Sequence, residues 1–310
     1  MRIAVIVATR GRPQKAGGVI ECARDLLSGR HEVEFIVAAD ADDTRTVDYF
    51  STFQRVTLCV RTRPIGVGDC WNRAAKAHPA DFYVALPDDF WMGAPGWDAM
   101  MVNALTKGIE GTMLPAQLGI ISFYDPVQPT ISALFGMTAK WIELNGFIFD
   151  PRFPFWFGDS ALVETALFAT GGGMPGSTSL HFASMPGNVN PRLRDMDLWW
   201  DLFAATRHER VETGRKIARH AGLPEIDDYT MARLIMECEE RDAAGRSNMP
   251  MVLASIRHPK APDEEYMAAK AQAEEYLSKS SFLVSGYSPL GYTVPLAAIP
   301  GASLTGIPPK

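Results

Sequence analysis

The chain has 310 residues, 47% of them hydrophobic and 21% charged, a balance that supports a buried core and excludes disordered and collagen-like chains. Its formal net charge of −6 argues against a whole-protein electrostatic grip on nucleic acid and leaves room only for a local basic face. No apolar run reaches the roughly 18 residues of a membrane span. The opening MRIAVIVATR is too short, and too soon charged, for a secretion leader. Cysteines 22, 59, 70 and 238 have neither metal-knuckle nor disulfide-framework spacing. A soluble, cytoplasmic protein is expected, with one catalytic-sized unit and an appendage.

Arg2 to Ala8 is β-branched and almost continuously apolar, the pattern of a parallel strand buried on both faces. Gly17 to Leu27 spaces its apolar residues as one face of a helix. Val33 to Ala39 and Val56 to Val60 read as further strands, Asp69 to Ala77 as an alanine-rich helix, and Phe82 to Leu86 as a fourth strand. Strand and helix alternating at this spacing predict an α/β fold with a mostly parallel sheet flanked by helices. Farther on, the pattern predicts a helix over Trp97 to Thr106, strands within Thr112 to Phe123 and Thr130 to Met137, and helices over Thr138 to Leu144 and Gly158 to Ala169. The glycine-rich run from Gly171 to Ser179 reads as a loop, either a mobile lid or a surface connection. Beyond Pro186 to Pro191 the chain reads as helical over Arg194 to His220, Ile226 to Ala244 and Asp263 to Lys279. Three regions are therefore expected: a catalytic unit over 1–185, a helical region over 186–284, and an extended tail over 285–310. Trp199 and Trp200 are placed to anchor the helical region to the body.

Ligands of parallel sheets bind at the carboxyl ends of the strands, and every loop at that edge is polar or charged here. Asp88 and Asp89 follow the fourth strand directly. Two crowded carboxylates repel, and a hard divalent cation, which takes one or two carboxylates plus phosphate oxygens, would justify the pair. A turn-capping Asp is the competing reading. Thr9, Arg10 and Arg12 follow the first strand, where guanidinium forks suit a phosphate. Asp40, Asp42 and Asp43 follow the second, either to bind a nucleotide or as a solvated acidic turn. Arg207, Arg210, Arg215, Lys216 and Arg219 read as a solvated helix face or as a basic stripe.

The order VATRGRP, VAADADD and GVGDCWNRAAKAHPADFYVALPDD resembles the GT-A nucleotide-sugar glycosyltransferases, family 2 in particular, over roughly residues 1–183. The resemblance implies a GT-A fold in which Thr9, Arg10, Arg12, Asp40, Asp42, Gly68, Asn72 and Asp88 bind the nucleotide-sugar. It implies that Asp89 and His181 hold Mn²⁺ or Mg²⁺, although His181 also reads as an ordinary core histidine. The usual Asp-x-Asp would begin at Pro87, so this chain carries the shortened form. WIELNG and PRFPFWFGD resemble the family's acceptor region, with Asp159 as general base and Trp156 and Trp97 against the acceptor. A helix cap is the alternative role for Asp159, and core packing for Trp97.

The implied activity is transfer of a sugar from an NDP-sugar, UDP favoured, to a hydroxyl acceptor, inverting if Asp159 is the base. That acceptor is a glycan, a small molecule or, if the basic stripe binds nucleic acid, a hydroxymethylated base in DNA. Two other readings remain. A sugar-phosphate nucleotidyltransferase shares the sheet, but Gly11-Arg12-Pro13-Gln14-Lys15 is poor in glycine for its first loop. A non-catalytic nucleotide-sugar-binding module is the other.

Overall fold

A computed structural model describes residues 1–62, 66–107, 118–124, 134–154, 156–172, 177–184, 195–255 and 264–280. Strand β1 (Arg2–Ala8) explains the continuous apolar run. Ile3, Val5 and Val7 enter one apolar layer, and Ala4, Ile6 and Ala8 enter the other. Both faces of β2 (Glu32–Asp40) and β4 (Phe82–Pro87) are filled in the same alternating way. With β3 (Thr57–Arg61), β5 (Phe90–Met92), β6 (Ile120–Tyr124), β7 (Phe135–Thr138) and β8 (Ser177–Ser184) they form a sheet in the order β3-β2-β1-β4-β7-β6-β8-β5. β3, β2, β1 and β4 are parallel neighbours, and β7 is antiparallel to both β4 and β6. β8 runs parallel to β6, and β5 antiparallel to β8. The α/β class and the mostly parallel sheet are as the sequence predicts, with β7 and β5 running against the rest.

Helices α1 (Pro13–Asp25), α2 (Thr44–Ser51) and α4 (Trp97–Lys107) cover one face, while α3 (Gly66–Ala77), α5 (Ala139–Asn145) and α6 (Gly158–Thr170) cover the other. Three elements were not expected. α2 is capped by Asp43, whose side chain accepts from the Thr46 N–H, and it buries Thr46 and Phe50. β5 is a three-residue strand between a turn and a helix. β8 begins at Ser177, so the end of the run read as a loop is a strand.

The expected helix over 194–220 is two helices, α7 (Met196–Ala205) and α8 (Arg207–His220). At Thr206 between them, the hydroxyl donates to the carbonyls of Leu202 and Phe203, a back-bond that loosens a helix locally. α9 (Asp228–Ser255) and α10 (Glu264–Lys279) follow. α8 packs on α5 and α6, and its Ile217 and Ala218 share an apolar layer with Ala4 and Ile6 of β1. Trp200 joins this region to the body, whereas the ring contact of Trp199 lies within the helical region. Trp200 meets the Phe157 ring at 4.6 Å, and Trp199 is edge-on to Tyr266 of α10 at 6.2 Å. The tail expected over 285–310 lies outside the described residues.

The basic stripe is corrected by the packing. Arg207 and Arg210 are buried, not aligned along a solvated face. Both bind Glu164 of α6, itself fully buried, at 3.2 and 2.8 Å; Arg241 reaches Glu164 at 2.8 Å and Asp242 contacts Arg207. Burial alone would raise the Glu164 carboxyl, but the guanidiniums of Arg210 and Arg207 outweigh it and hold it below the ordinary carboxylate range.

Candidate active site

The strand order reverses between β1 and β4. The β1–α1–β2–α2–β3 units spread to one side, and the chain then returns through α3, on the opposite face, to lay β4 against β1. A crevice outside the carboxyl ends of such strands is the expected ligand site of an open α/β sheet. The pairing Val7↔Leu86 and Ala8↔Pro87 brings Thr9 and Asp88 out of the sheet side by side. The Thr9 hydroxyl donates to Asp88 Oδ2 at 2.7 Å. Arg12 Nη2 reaches Asp88 Oδ1 at 2.5 Å, and Arg12 Nη1 lies 3.6 Å from Asp89 Oδ2. Asp88 is 2% exposed. Burial pushes its carboxyl up, while Arg12 and the Thr9 hydroxyl pull in the opposite direction. The Asp89 side chain is more open, at 24%.

The second-strand acids divide their work. Arg10 donates to Asp40 at 2.7 Å and grips both oxygens of Asp42, at 2.6 and 2.7 Å. Asp43 accepts from the Gly11 N–H at 2.6 Å while capping α2. Burial would raise the Asp43 carboxyl; the bonds from Thr46 and Gly11 outweigh it and hold it low. Asp43 thus ties the first loop to the second, a role not assigned to it from sequence. The Asp-x-x-Thr capping pattern was its available signal. Together these contacts join Thr9, Arg10, Arg12, Asp40, Asp42, Asp88 and Asp89 at one sheet edge.

Asn72 and Gly68 do different work on α3. The Asn72 amide donates to the Phe149 carbonyl at 2.8 Å, and its oxygen accepts from the N–H groups of Ile148 and Phe149 at 2.8 and 3.2 Å. A Cβ on Gly68 would sit 3.3 Å from the Phe149 Cβ. At Gly66 (φ +76°) a Cβ would lie 2.3 Å from the Pro154 carbonyl oxygen, a position only glycine fits. α3 is therefore a clamp on the segment that leads to Asp159.

Asp159 occupies the first turn of α6, and the cap position belongs to Phe157 (φ +65°). One Asp159 oxygen accepts from the Ser160 N–H at 2.7 Å. Desolvation raises the Asp159 carboxyl above the ordinary range, against that bond, which lowers it. The aromatic residues before it are mostly structural. Phe153 and Phe157 are buried against Phe203, at 5.8 and 4.9 Å between ring centres. They are core residues, not an open sugar platform. Trp156 is half-buried beside this cluster.

Trp97 corrects the sequence reading. Its side chain is wholly buried and its indole N–H donates to the Ala23 carbonyl at 2.8 Å, so it knits α4 to α1 and cannot touch an acceptor. Its neighbour Asp98, also buried, accepts from the N–H and hydroxyl of Ser28, both at 2.7 Å. The PGWD segment is a packing device. His181 lies in β8, opposite Tyr124 of β6 in register, and its side chain is outside the described residues.

Neither a family profile nor a curated protein sequence matches the chain. Among solved structures it is similar to a mannosyltransferase, PcManGT, from Pyrobaculum calidifontis in complex with GDP-Man and Mn²⁺. Identity is 13%, 91% of this chain and 82% of that one are covered, and the TM-score is 0.47. It is also similar to glucosyl-3-phosphoglycerate synthase from Mycobacterium tuberculosis in complex with Mn²⁺, UDP and phosphoglyceric acid. There identity is 16%, coverage 72% of this chain and 80% of that one, and the TM-score 0.43. At these values the functional reading rests on the chain's own residues.

Those residues fit a hard cation of modest demand. Among the described residues no three His, Cys, Asp or Glu converge on one point, so no all-protein cage is built there. An open carboxylate, Asp89, backed by a second, Asp88, suits an ion that draws its remaining ligands from phosphate oxygens and water. Among the described residues no helix is long and apolar enough to cross a membrane.

Proposed function

We propose that this chain is a cation-dependent glycosyltransferase that moves a sugar from an NDP-sugar, UDP favoured, to a hydroxyl acceptor. The observation that carries this reading is the Thr9–Asp88–Arg12–Asp89 array at the reversal of strand order. It combines an oriented buried carboxylate, an open one and an arginine that bridges them in the crevice where such sheets take nucleotides.

Breaking the bond between an anomeric carbon and a diphosphate leaves an oxocarbenium-like sugar and builds negative charge on the departing oxygens. Asp89 would hold Mn²⁺ or Mg²⁺, which would supply Lewis-acid stabilisation of that charge. Asp88, fixed by Thr9, faces the ribose or the same ion. Arg10 and Arg12 add positive charge on the side of the departing diphosphate. Asp40 and Asp42 hold the nucleoside end. On the far side of the sugar, an Asp159 oxygen takes the proton of the acceptor hydroxyl as the hydroxyl oxygen attacks the anomeric carbon and the diphosphate leaves, a contribution of roughly 10²–10⁴-fold. Attack opposite the leaving group inverts the anomeric centre. Desolvation raises the Asp159 carboxyl, which makes its carboxylate a stronger base. By the family resemblance His181 would be a further ligand of that ion, and Trp156 would border the acceptor.

Incubation with NDP-sugars and a panel of hydroxyl acceptors, beside NTPs with sugar phosphates, tests the assignment. Release of NDP that requires Mn²⁺ and disappears in Asp89→Ala is expected. Pyrophosphate release from an NTP and a sugar phosphate would instead make the chain a nucleotidyltransferase. Nucleotide-sugar binding without turnover, unaltered in Asp159→Asn, would make it a binding module.

A further inference from the structure

Arg12 sits where a cation would. Its guanidinium contacts the buried Asp88 at 2.5 Å and spans to Asp89 at 3.6 Å, so one positive charge bridges both carboxylates. The side chain is 46% exposed, whereas that of Asp88 is 3%. Water already reaches the guanidinium, so the side chain has solvent to swing into. The backbone beneath stays put: the Gly11 N–H is bound to Asp43, Pro13 opens α1, and the Arg12 carbonyl accepts the Ala16 N–H at 3.1 Å. Only the side-chain torsions of Arg12 are free to change.

We infer that Arg12 is a resident counter-ion of the Asp88–Asp89 pair, displaced by the divalent cation and then captured by the donor's diphosphate. The inference rests on the cation-and-diphosphate reading given under the proposed function. A guanidinium and a divalent ion cannot share two carboxylates without mutual repulsion, so the cation alone must expel Arg12 into water. A diphosphate offers the expelled fork a paired-oxygen partner of the kind it binds best. Arg12 therefore opposes the cation when no diphosphate is present and favours the assembled complex when one is. Coupling of this kind is reciprocal: each ligand raises the other's affinity by the same factor. Without its donor, the chain resists loading with metal.

Calorimetric titration with Mn²⁺ alone, and with UDP in the presence of Mn²⁺, separates this role from a structural one. The wild type is compared with Arg12→Ala and with Arg12→Gln, which keeps a neutral hydrogen bond to Asp88 should the alanine variant not fold. The variants should bind Mn²⁺ alone on the order of 5–10-fold more tightly, and UDP with Mn²⁺ several-fold more weakly. A residue that merely supports the loop would weaken both. Variants that bind Mn²⁺ alone no more tightly than wild type overturn the inference and leave the proposed function standing. If the wild type and both variants bind neither Mn²⁺ nor UDP with Mn²⁺, the inference and the proposed function fall together.

Discussion

Two clusters of arginines and carboxylates in this molecule share their chemistry and differ in burial. Around Glu164, three arginines close on a carboxylate with no exposure, between α6, α8 and α9. Around Asp88 and Asp89, Arg12 is nearly half exposed and one of its two contacts is loose. In the first cluster Glu164, Arg207 and Arg210 are desolvated and only Arg241 reaches water, so removing any of the buried three strands the others. In the second, water and a ligand can replace the arginine. Burial turns ion pairs into a structural joint in one place and leaves them exchangeable in the other.

The largest expected effects sharpen this contrast from the exchangeable side. Asp89→Ala should lower kcat/KM by about three orders of magnitude, and Asp159→Asn by roughly 10²–10⁴, while denaturant midpoints stay near wild type. Steady-state kinetics beside urea titration checks both; a lost fold in either variant would break the contrast. From the buried side, Glu164→Ala should cost about 3–5 kcal/mol of stability, since it takes from the buried Arg207 and Arg210 the carboxylate they share. Urea unfolding reads this directly. A cost under about 1 kcal/mol would place Glu164 among surface-like pairs.

Acid should separate the clusters again. The Glu164 carboxyl is held below its unfolded value, so its stabilisation is complete above the ordinary carboxylate range and is lost as pH falls through the lowered value. Asp159 has the opposite sign. Its raised carboxyl takes up a proton earlier on acidification, so the acid limb of kcat/KM should lie above the ordinary carboxylate range and vanish in the residual rate of Asp159→Asn. Between these two limbs the protein should be folded and inactive, which circular dichroism and rate profiles over the same pH series would show. The smallest expected effect concerns Trp97→Phe. Loss of the indole bond to Ala23 should cost about 1 kcal/mol and leave the acceptor KM unchanged.

Much of the sheet was legible because parallel strands buried on both faces read as unbroken apolar runs, as RIAVIVA does in β1 and FYVAL in β4. The sheet-edge site was legible for a related reason: once those strands are placed, the loops at their carboxyl ends follow, and Thr9, Arg12, Asp40 and Asp88 come with them. β5 is too short for any periodicity to register. β8 (STSLHFAS) has little alternation and follows a glycine run, so its first residues, 177–179, read as the end of a loop. α2 was hidden in a polar stretch whose Asp43 cap looked like one more acidic turn residue. Side-chain partners were less accessible still. Nothing in the spacing of Asn72 showed that its amide would be spent on Ile148 and Phe149, or that Arg207 and Arg210 would turn inward to a glutamate more than forty positions earlier. For Trp97 the sequence left acceptor contact and core packing open, and the ring proves to be needed between two helices.

The account's central claim is that the crevice between the ends of β1 and β4 binds a nucleoside diphosphate through a cation held on Asp89. Thermal unfolding with UDP, with Mn²⁺, and with both, in wild type and Asp89→Asn, tests it most directly, because a ligand that binds only the folded state raises the midpoint. The claim predicts a clear rise for UDP with Mn²⁺, larger than the two separate shifts added, and its loss in Asp89→Asn. An equal rise in the variant, or no rise in the wild type with UDP or any other nucleoside diphosphate, would contradict it.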